Sequence, residues 1–331
     1  MRRLFLCAIT CAFTIVGSVI GAGFITGKEV FEFFAKDFSL SGIYLAFLCF
    51  SFAVYYVMNI KGTGFDKCFE IFVSLASIVV ASCMISALNI VYKRVFCYVE
   101  KVKIFSIITA ILLFIISVNG IEAIEKFCAL TLPIVTVVIV ILCSIKIGDY
   151  NVEISPKTTY GIYNPVVYVG YNVVLSAGII KNSGEKQTPL FKIVASMLSS
   201  IIICSCIFML SLAIKNEGYK SEMPFVSLYL SNKKLLKIID IITLFAIYST
   251  LISSLYTVNY FGGIKLRFEF KILFLAIIIA ISNIGFGKIV ERLYPMLGVF
   301  ACVLFLVSFL LSKLFRVVRQ GHTSRPLICR E

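Results

Sequence analysis

Ten runs of mainly apolar residues follow one another along this chain, near 4–35, 40–60, 66–92, 104–120 and 123–146, then near 162–181, 190–214, 235–261, 270–287 and 290–315. A helix needs roughly 20 such residues to cross about 30 Å of hydrocarbon, so ten crossings take up about 200 residues and leave short loops. Inside a bilayer the backbone must satisfy its own hydrogen bonds, and a helix does so within one segment. The runs therefore predict an all-α membrane protein of about ten transmembrane helices with no separate soluble domain. Hydrophobic residues make up 60% of the sequence, well above the roughly 45–50% usual in soluble domains, and a water-soluble fold is excluded.

The formal charge of +14 would suggest nucleic acid in a soluble protein. On a membrane protein it points to anionic lipid headgroups instead, so lipid and not nucleic acid is the expected partner. The twelve cysteines lie mostly within apolar runs and show no metal-ligand spacing, so they read as small buried hydrophobes. The single histidine, His322, sits in the polar tail, which gives no support to zinc or histidine chemistry within the membrane. Tryptophan is absent, and the sixteen tyrosines are left to supply the interfacial belt. The start, Met1-Arg2-Arg3 followed by Leu4 to Val16, has the layout of a signal peptide, but the nine further runs favour an uncleaved first span. Arg2 and Arg3 at the first span, with Lys313, Arg316 and Arg319 at the last, favour cytoplasmic termini. The loop bearing Lys93, Arg94, Lys101 and Lys103 argues the other way.

Two runs are abnormal as membrane helices. The first, if helical from Leu4 to Ala35, would be about 48 Å long, and it contains Gly17, Gly21, Gly23 and Gly27. The sixth contains Gly161, Pro165, Gly170 and Gly178 around Tyr171-Asn172. They begin the two halves of the chain, where inverted-repeat transporters place broken helices. This predicts a five-helix repeat over 1–148, a second over 149–315 and a basic cytoplasmic tail over 316–331. Backbone bared at a break would offer N–H groups to an anionic solute group and C=O groups to a cation. The competing reading is that Gly17 with Gly21, and Gly23 with Gly27, are GxxxG pairs for close helix packing. The charged continuation into Lys28, Glu29 and Glu32 favours the break.

The stretch Ile20-Gly21-Ala22-Gly23-Phe24, with Gly27-Lys28-Glu29 and Phe33-Phe34, resembles the YkvI-like membrane proteins of the amino acid/polyamine/organocation superfamily, which has the LeuT-type fold. Tyr168-Val169-Gly170-Tyr171-Asn172 and Glu222-Met223-Pro224 extend the likeness, while Lys28 stands where the family more often has an uncharged polar residue. The resemblance implies a five-plus-five inverted repeat in a bacterial plasma membrane, with helices 1 and 6 broken around a central site. It also implies a sodium site between the first and eighth spans. Two carbonyls three residues apart before the G-x-G fall at Gly17 and Ile20; one carbonyl followed by adjacent hydroxyls falls at Ala246, Ser249 and Thr250. Five neutral oxygens suit a hard monovalent ion that must also leave. Back-bonding of the two hydroxyls to their own helix is the competing reading. A proton-coupled relative would place a lysine in the middle of the fifth span, and this one has Lys126 near its start with Thr131, Pro133 and Thr136 centrally.

The candidate substrate residues are Gly21, Ala22 and Gly23 at the first break, Tyr171 and Asn172 at the second, Asn89 in the third span and Glu29. Glu29 offers a site for a substrate amine or a gate, against simple pairing with Lys28 or Lys36. Asn89, Ser86 and Ser82 share one side of the third span at spacings of three and four, and interhelical hydrogen bonding explains them equally well. Asp240 reads as an interfacial carboxylate paired with Lys237 or Lys234, and Glu122 and Glu125 as span-end groups in solvent. No residue set suggests an intramembrane enzyme, and no cofactor is implied beyond a coupling sodium ion. The expected function is monomeric secondary transport of a small solute, an amino acid or related amine, by alternating access. The alternative is a permease-like receptor or sensor subunit that binds an amino acid without moving it.

Overall fold

The computed structural model describes residues 2–59, 66–96, 101–119, 134, 136–146, 163–184, 187–215, 221–259 and 265–323. Among these, every regular element is helical. The first run forms three pieces: α1 (Arg2–Val19), α2 (Ala22–Ile25) and α3 (Lys28–Val30), the last passing into a π-helical turn over Phe31–Ala35. Then come α4 (Leu40–Asn59), α5 (Asp66–Phe96), α6 (Val102–Asn119) and α7 (Thr136–Lys146). The second half holds α8 (Tyr163–Leu175), α9 (Ala177–Gly184), α10 (Pro189–Ile214), the short α11 (Pro224–Ser227), α12 (Lys233–Asn259) and α13 (Phe268–Ser282). It ends with α14 (Phe286–Lys288), a second π-helical turn over Ile289–Leu293, and α15 (Tyr294–Thr323). The apolar runs and the helices coincide, although of the fifth run only the α7 portion is described. Glu122, Glu125, Lys126, Thr131 and Pro133 lie outside the described residues.

Among the described residues, five helices are by themselves long and apolar enough to cross a membrane: Leu40–Asn59, Phe69–Phe96, Pro189–Ile214, Lys233–Asn259 and Phe286–Leu310. Phe5–Val19, Val102–Val118 and Thr136–Lys146 are shorter apolar helices, and the chain is a multi-pass membrane protein. The start of α10 illustrates the local logic. Thr188 caps it by accepting the Phe191 N–H at 3.3 Å, and Pro189 occupies the first helical position, where no N–H is needed. Its contact face then reads Ala195, Ser196, Ser199, Ile203, Ile207 and Leu210, all buried. Ser196 and Ser199 return their hydroxyls to carbonyls one turn back, so these two small residues allow close packing without leaving their own hydroxyls unsatisfied.

Large apolar side chains such as Phe105, Leu112, Ile272, Phe300 and Leu306 point outward, where lipid is the natural solvent. Packing inside falls into two groups. In one, α12 lies along α5 and also packs on α6, while α5 packs on α13. In the other, α1 packs on α10, α10 on α4, α4 on α8 and α8 on α15. Close approach of α8 and α15 depends on two glycines. A Cβ on Gly170 would lie 2.6 Å from Cys302 Sγ, and one on Gly298 would lie 2.6 Å from the Val167 carbonyl oxygen. Cys7, Cys11, Cys49, Cys83, Cys143, Cys204, Cys206 and Cys302 are free thiols, and Cys11, Cys83, Cys143, Cys204 and Cys206 are buried in the helix-packing core.

Candidate functional site

The first run abandons its helix where the glycines permit it. The Gly21 N–H turns back to the Val19 carbonyl at 3.0 Å and so does not close on Gly17, four residues earlier. Gly21 itself is extended, with φ −99° and ψ −170°. One turn later the chain bends again at Gly27, whose φ of 80° lies in the left-handed region that glycine enters without a Cβ penalty. Between the bends, Thr26 Oγ1 donates to the Gly23 carbonyl at 2.9 Å. The Thr26 carbonyl accepts the Phe225 N–H at 3.1 Å, which docks α11 onto the second bend.

Of the residues expected to hold sodium, the tertiary structure brings Thr250 directly to this break. The Ala22 N–H donates to Thr250 Oγ1 at 3.3 Å, and a Cβ on Gly21 would touch the same oxygen at 3.3 Å. Ser249 donates to the Ala246 carbonyl at 2.9 Å, in its own helix, and both residues are buried. In this arrangement the Ala246 carbonyl serves the Ser249 hydroxyl, as the back-bonding reading expects. The Gly17 carbonyl is released from the N–H of Gly21, and Ile20 is fully buried beside it.

The sixth run departs from expectation. Tyr171 and Asn172 lie inside α8, and the interruption falls one turn later, at Ser176. It is one residue long and keeps helical hydrogen bonding on either side, because the Ser176 N–H bonds the Asn172 carbonyl and the Ile180 N–H bonds the Ser176 carbonyl, each at 3.0 Å. Two local causes are visible. Gly170 is used for close packing against α15 and not for unwinding, and the Asn172 side chain donates to the Tyr168 carbonyl at 3.0 Å, within α8. Gly178 faces open space and lies within α9. The two interruptions nevertheless meet, since Ser176 Oγ donates to the Ser18 carbonyl at 3.2 Å.

Glu29 is the centre of the site. It is 6% exposed, and its Oε2 accepts the Tyr171 hydroxyl at 2.8 Å. Its carboxylate lies against Gly23 so closely that a Cβ there would overlap it. The competing reading, pairing with Lys28 or Lys36, is not what forms: Lys28 Nζ lies 2.7 Å from Glu32 and Lys36 Nζ 3.9 Å from Glu32, and no ion pair among the described residues includes Glu29. Aromatic rings surround the tyrosine that Glu29 accepts from. Tyr171 lies 5.5 Å from both Tyr168 and Tyr294 and 5.8 Å from Phe33, centroid to centroid. The fully buried Tyr168 hydroxyl lacks a partner at hydrogen-bond geometry.

Sequence reasoning missed Phe33, Tyr168 and Tyr294 as parts of this site. The signal available was spacing: Glu29 with Phe33, and Tyr168 with Tyr171, share helix faces at four and three residues. Nothing local marked Tyr294. Elsewhere, Ser82 bonds its own helix through the Ile78 carbonyl at 2.7 Å, Ser86 is buried, and Asn89 Oδ1 is buried without a partner. Asp240 is corrected. Its partner is Arg94 of α5, 3.3 Å from its Oδ1, and not a lysine of its own helix. Arg94 also donates to Met223 Sδ at 3.3 Å, just before α11.

These helices and this broken first span define the class: the chain has the fold of a LeuT-type membrane transporter. No family model matches it. Its sequence is similar to that of the uncharacterized membrane protein YkvI of Bacillus subtilis (strain 168), with 22% identity over 318 residues, 87% of this chain and 91% of that protein. Among solved structures it resembles a variant of the manganese transporter of Eremococcus coleocola, with a TM-score of 0.58 and 13% identity, over 92% of this chain and 79% of the other. It also resembles Mhp1, a nucleobase-cation-symport-1 family transporter in a closed conformation with bromovinylhydantoin bound, with a TM-score of 0.50 and 15% identity, over 91% and 74% of the two chains. The likeness to YkvI-like proteins that the glycine motif carries therefore holds along nearly the whole chain.

Proposed function

We propose that this protein is a secondary active transporter that moves a small solute, an amino acid or related amine, across a bacterial plasma membrane by alternating access with sodium as the coupling ion. The observation that carries the reading is the broken first span. Its non-helical turn at Gly21, with Ala22 and Gly23 after it, lies between a helix hydroxyl, Thr250, and a buried carboxylate, Glu29, that is tied to the sixth span through Tyr171. Broken helices at membrane depth are tolerated where they line a site.

A five-plus-five inverted repeat is supported by how the helices pair. Exchanging the third span with the eighth and the fourth with the ninth turns the α12–α6 contact into the α5–α13 contact. Exchanging the first with the sixth and the second with the seventh turns α1–α10 into α8–α4. Rocking of the bundle of spans one, two, six and seven, which pack on one another as α1, α4, α8 and α10, would then expose the site to alternate faces. Sodium at Thr250, Ser249 and the carbonyls of Gly17, Ile20 and Ala246 would favour one arrangement of α2 against α12, and solute at Glu29 and Tyr171 would complete it.

The test is uptake into liposomes reconstituted with the purified chain, using a panel of labelled amino acids and amines. An inward sodium gradient is expected to drive accumulation above equilibrium. Uptake that is identical in sodium and in potassium would remove the ion assignment, and binding without any flux would favour the receptor reading.

A further inference from the structure

The lysines at the end of the third span argue against the topology that Arg2, Arg3 and the basic tail favour, because three crossings place that end opposite the N-terminus. The tertiary structure brings a second basic helix end beside them. Arg94 Nε lies 3.3 Å from Asp240 Oδ1, which ties the end of α5 to the start of α12, and the Phe96 ring stacks on Phe105 at 6.2 Å, which ties it to the start of α6. Lys93, Lys101, Lys103, Lys233, Lys234 and Lys237 all stand exposed on these three ends, and no ion pair among the described residues includes any of them. Of the two acids in these stretches, Asp240 is buried against Arg94, and Glu100 lies outside the described residues. Ammonium groups gathered in this way repel one another until an anion lies among them.

A directed chain of hydroxyls fixes the platform that carries them. Thr109 gives its only hydroxyl proton to the Phe105 carbonyl at 2.9 Å, so Tyr92 donates to Thr109 at 3.0 Å, and Tyr248 in turn donates to Tyr92 at 2.6 Å. One hydroxyl from each of α5, α6 and α12 is locked by this chain, and the same three helices pack pairwise. The helix ends are therefore set before any ligand arrives. Towards the hydrocarbon their faces turn apolar, with Phe96, Phe105, Ile108, Ile238 and Ile241 exposed. A ligand that satisfies this surface carries an anion at one end and hydrocarbon at the other.

We propose that the joined ends of α5, α6 and α12 form a binding site for an anionic phospholipid, its phosphate among the six lysines and its acyl chains along the apolar faces beside them. Arg94 is not one of the headgroup ligands, because Asp240 and Met223 already engage it. The site gives a definite place to the lipid that the net charge of +14 calls for. It uses no residue of the break in the first span, so it holds whatever the cargo is.

The experiment uses the full chain, purified in a neutral detergent. Native mass spectrometry counts the lipids retained from an equimolar mixture of phosphatidylglycerol and phosphatidylcholine with matched acyl chains, and thermal midpoints are read in nanodiscs of each lipid. Phosphatidylglycerol is expected to be preferred at least tenfold and to raise the midpoint. A lysine beside an anionic headgroup strengthens binding roughly fivefold. Lys93→Gln with Lys101→Gln and Lys103→Gln, or Lys233→Gln with Lys234→Gln and Lys237→Gln, should therefore each weaken phosphatidylglycerol binding at least tenfold. The same triples changed to arginine keep the charge and should keep the lipid, which separates lost charge from a lost fold. Lys265→Gln with Arg267→Gln and Lys288→Gln removes charge at exposed positions elsewhere and should leave binding unchanged. Equal retention of the two lipids overturns the inference. So does phosphatidylglycerol binding that survives both glutamine triples, falls as far in the arginine triples, or falls as far in the control. A midpoint raised as much by soluble glycerol phosphate as by phosphatidylglycerol makes this a site for a free anion and overturns it as well.

Discussion

The Tyr171 hydroxyl donates to Glu29 Oε2 at 2.8 Å, joining the sixth span to the segment that follows the break of the first. The two residues are 142 positions apart in the chain. Because Glu29 has no ion-pair partner among the described residues, this contact is the main polar restraint on its carboxylate.

Tyr171→Phe removes that restraint and little else. A hydrogen bond to a charged group contributes about 1.5–3 kcal/mol, so the apparent affinity for the solute should fall by roughly tenfold or more. The readout is the uptake KM in liposomes, with the gel-filtration profile in detergent unchanged. A variant with wild-type KM would place the solute elsewhere.

Thr250→Ala should abolish the dependence on sodium. The threonine hydroxyl receives the Ala22 N–H at the break, so its loss removes both the proposed cation oxygen and the contact that fixes α2 against α12. Sodium-dependent thermal stabilisation, which for a bound ion grows as RT ln(1 + [Na⁺]/Kd), is expected to vanish in Thr250→Ala and to persist in Thr250→Ser. Equal stabilisation in the alanine variant counts against this position.

Gly27→Ala tests the second bend. Its φ of 80° costs an ordinary residue about 1–2 kcal/mol, and the added Cβ would lie 3.0 Å from the Phe225 amide nitrogen. The expectation is a lower melting midpoint together with faster labelling of a cysteine placed in α11, since the same contact docks that helix. A lower midpoint with unchanged labelling would show that the strain is absorbed locally.

Asp240→Asn should be destabilising, because it removes the carboxylate that the Arg94 guanidinium pairs with. Replacing both partners together, as in Arg94→Met with Asp240→Leu, should recover much of the loss. Thermal midpoints of the two variants decide this, and a double variant no better than the single one would contradict the pairing.

Gly298→Ala should destabilise the contact of α15 with α8 by about 1–3 kcal/mol, the usual cost of overpacking. Its Cβ would run into the Val167 side chain and lie 2.6 Å from the Val167 carbonyl. Gly178→Ala is the internal control. It faces open space in a helix, where alanine is favoured over glycine by up to about 1 kcal/mol.

What the amino-acid sequence determined by itself was local. Run length and apolarity set where the spans lie, and the glycines from Gly17 to Gly27 marked the place where the first one leaves its helix, since freedom from a Cβ is a property of the residue alone. Glu29 stood out for the same reason, as an ionisable group one turn past the break. The tertiary structure decided which faces meet. It gave Glu29 to Tyr171 instead of Lys28, and Asp240 to Arg94 instead of Lys237. It used Gly170 for packing and moved the sixth-span interruption to Ser176. Helices that are apolar on every side carry no stripe to say which face turns inward, so partners more than a turn or two apart become fixed only when neighbouring helices close around them.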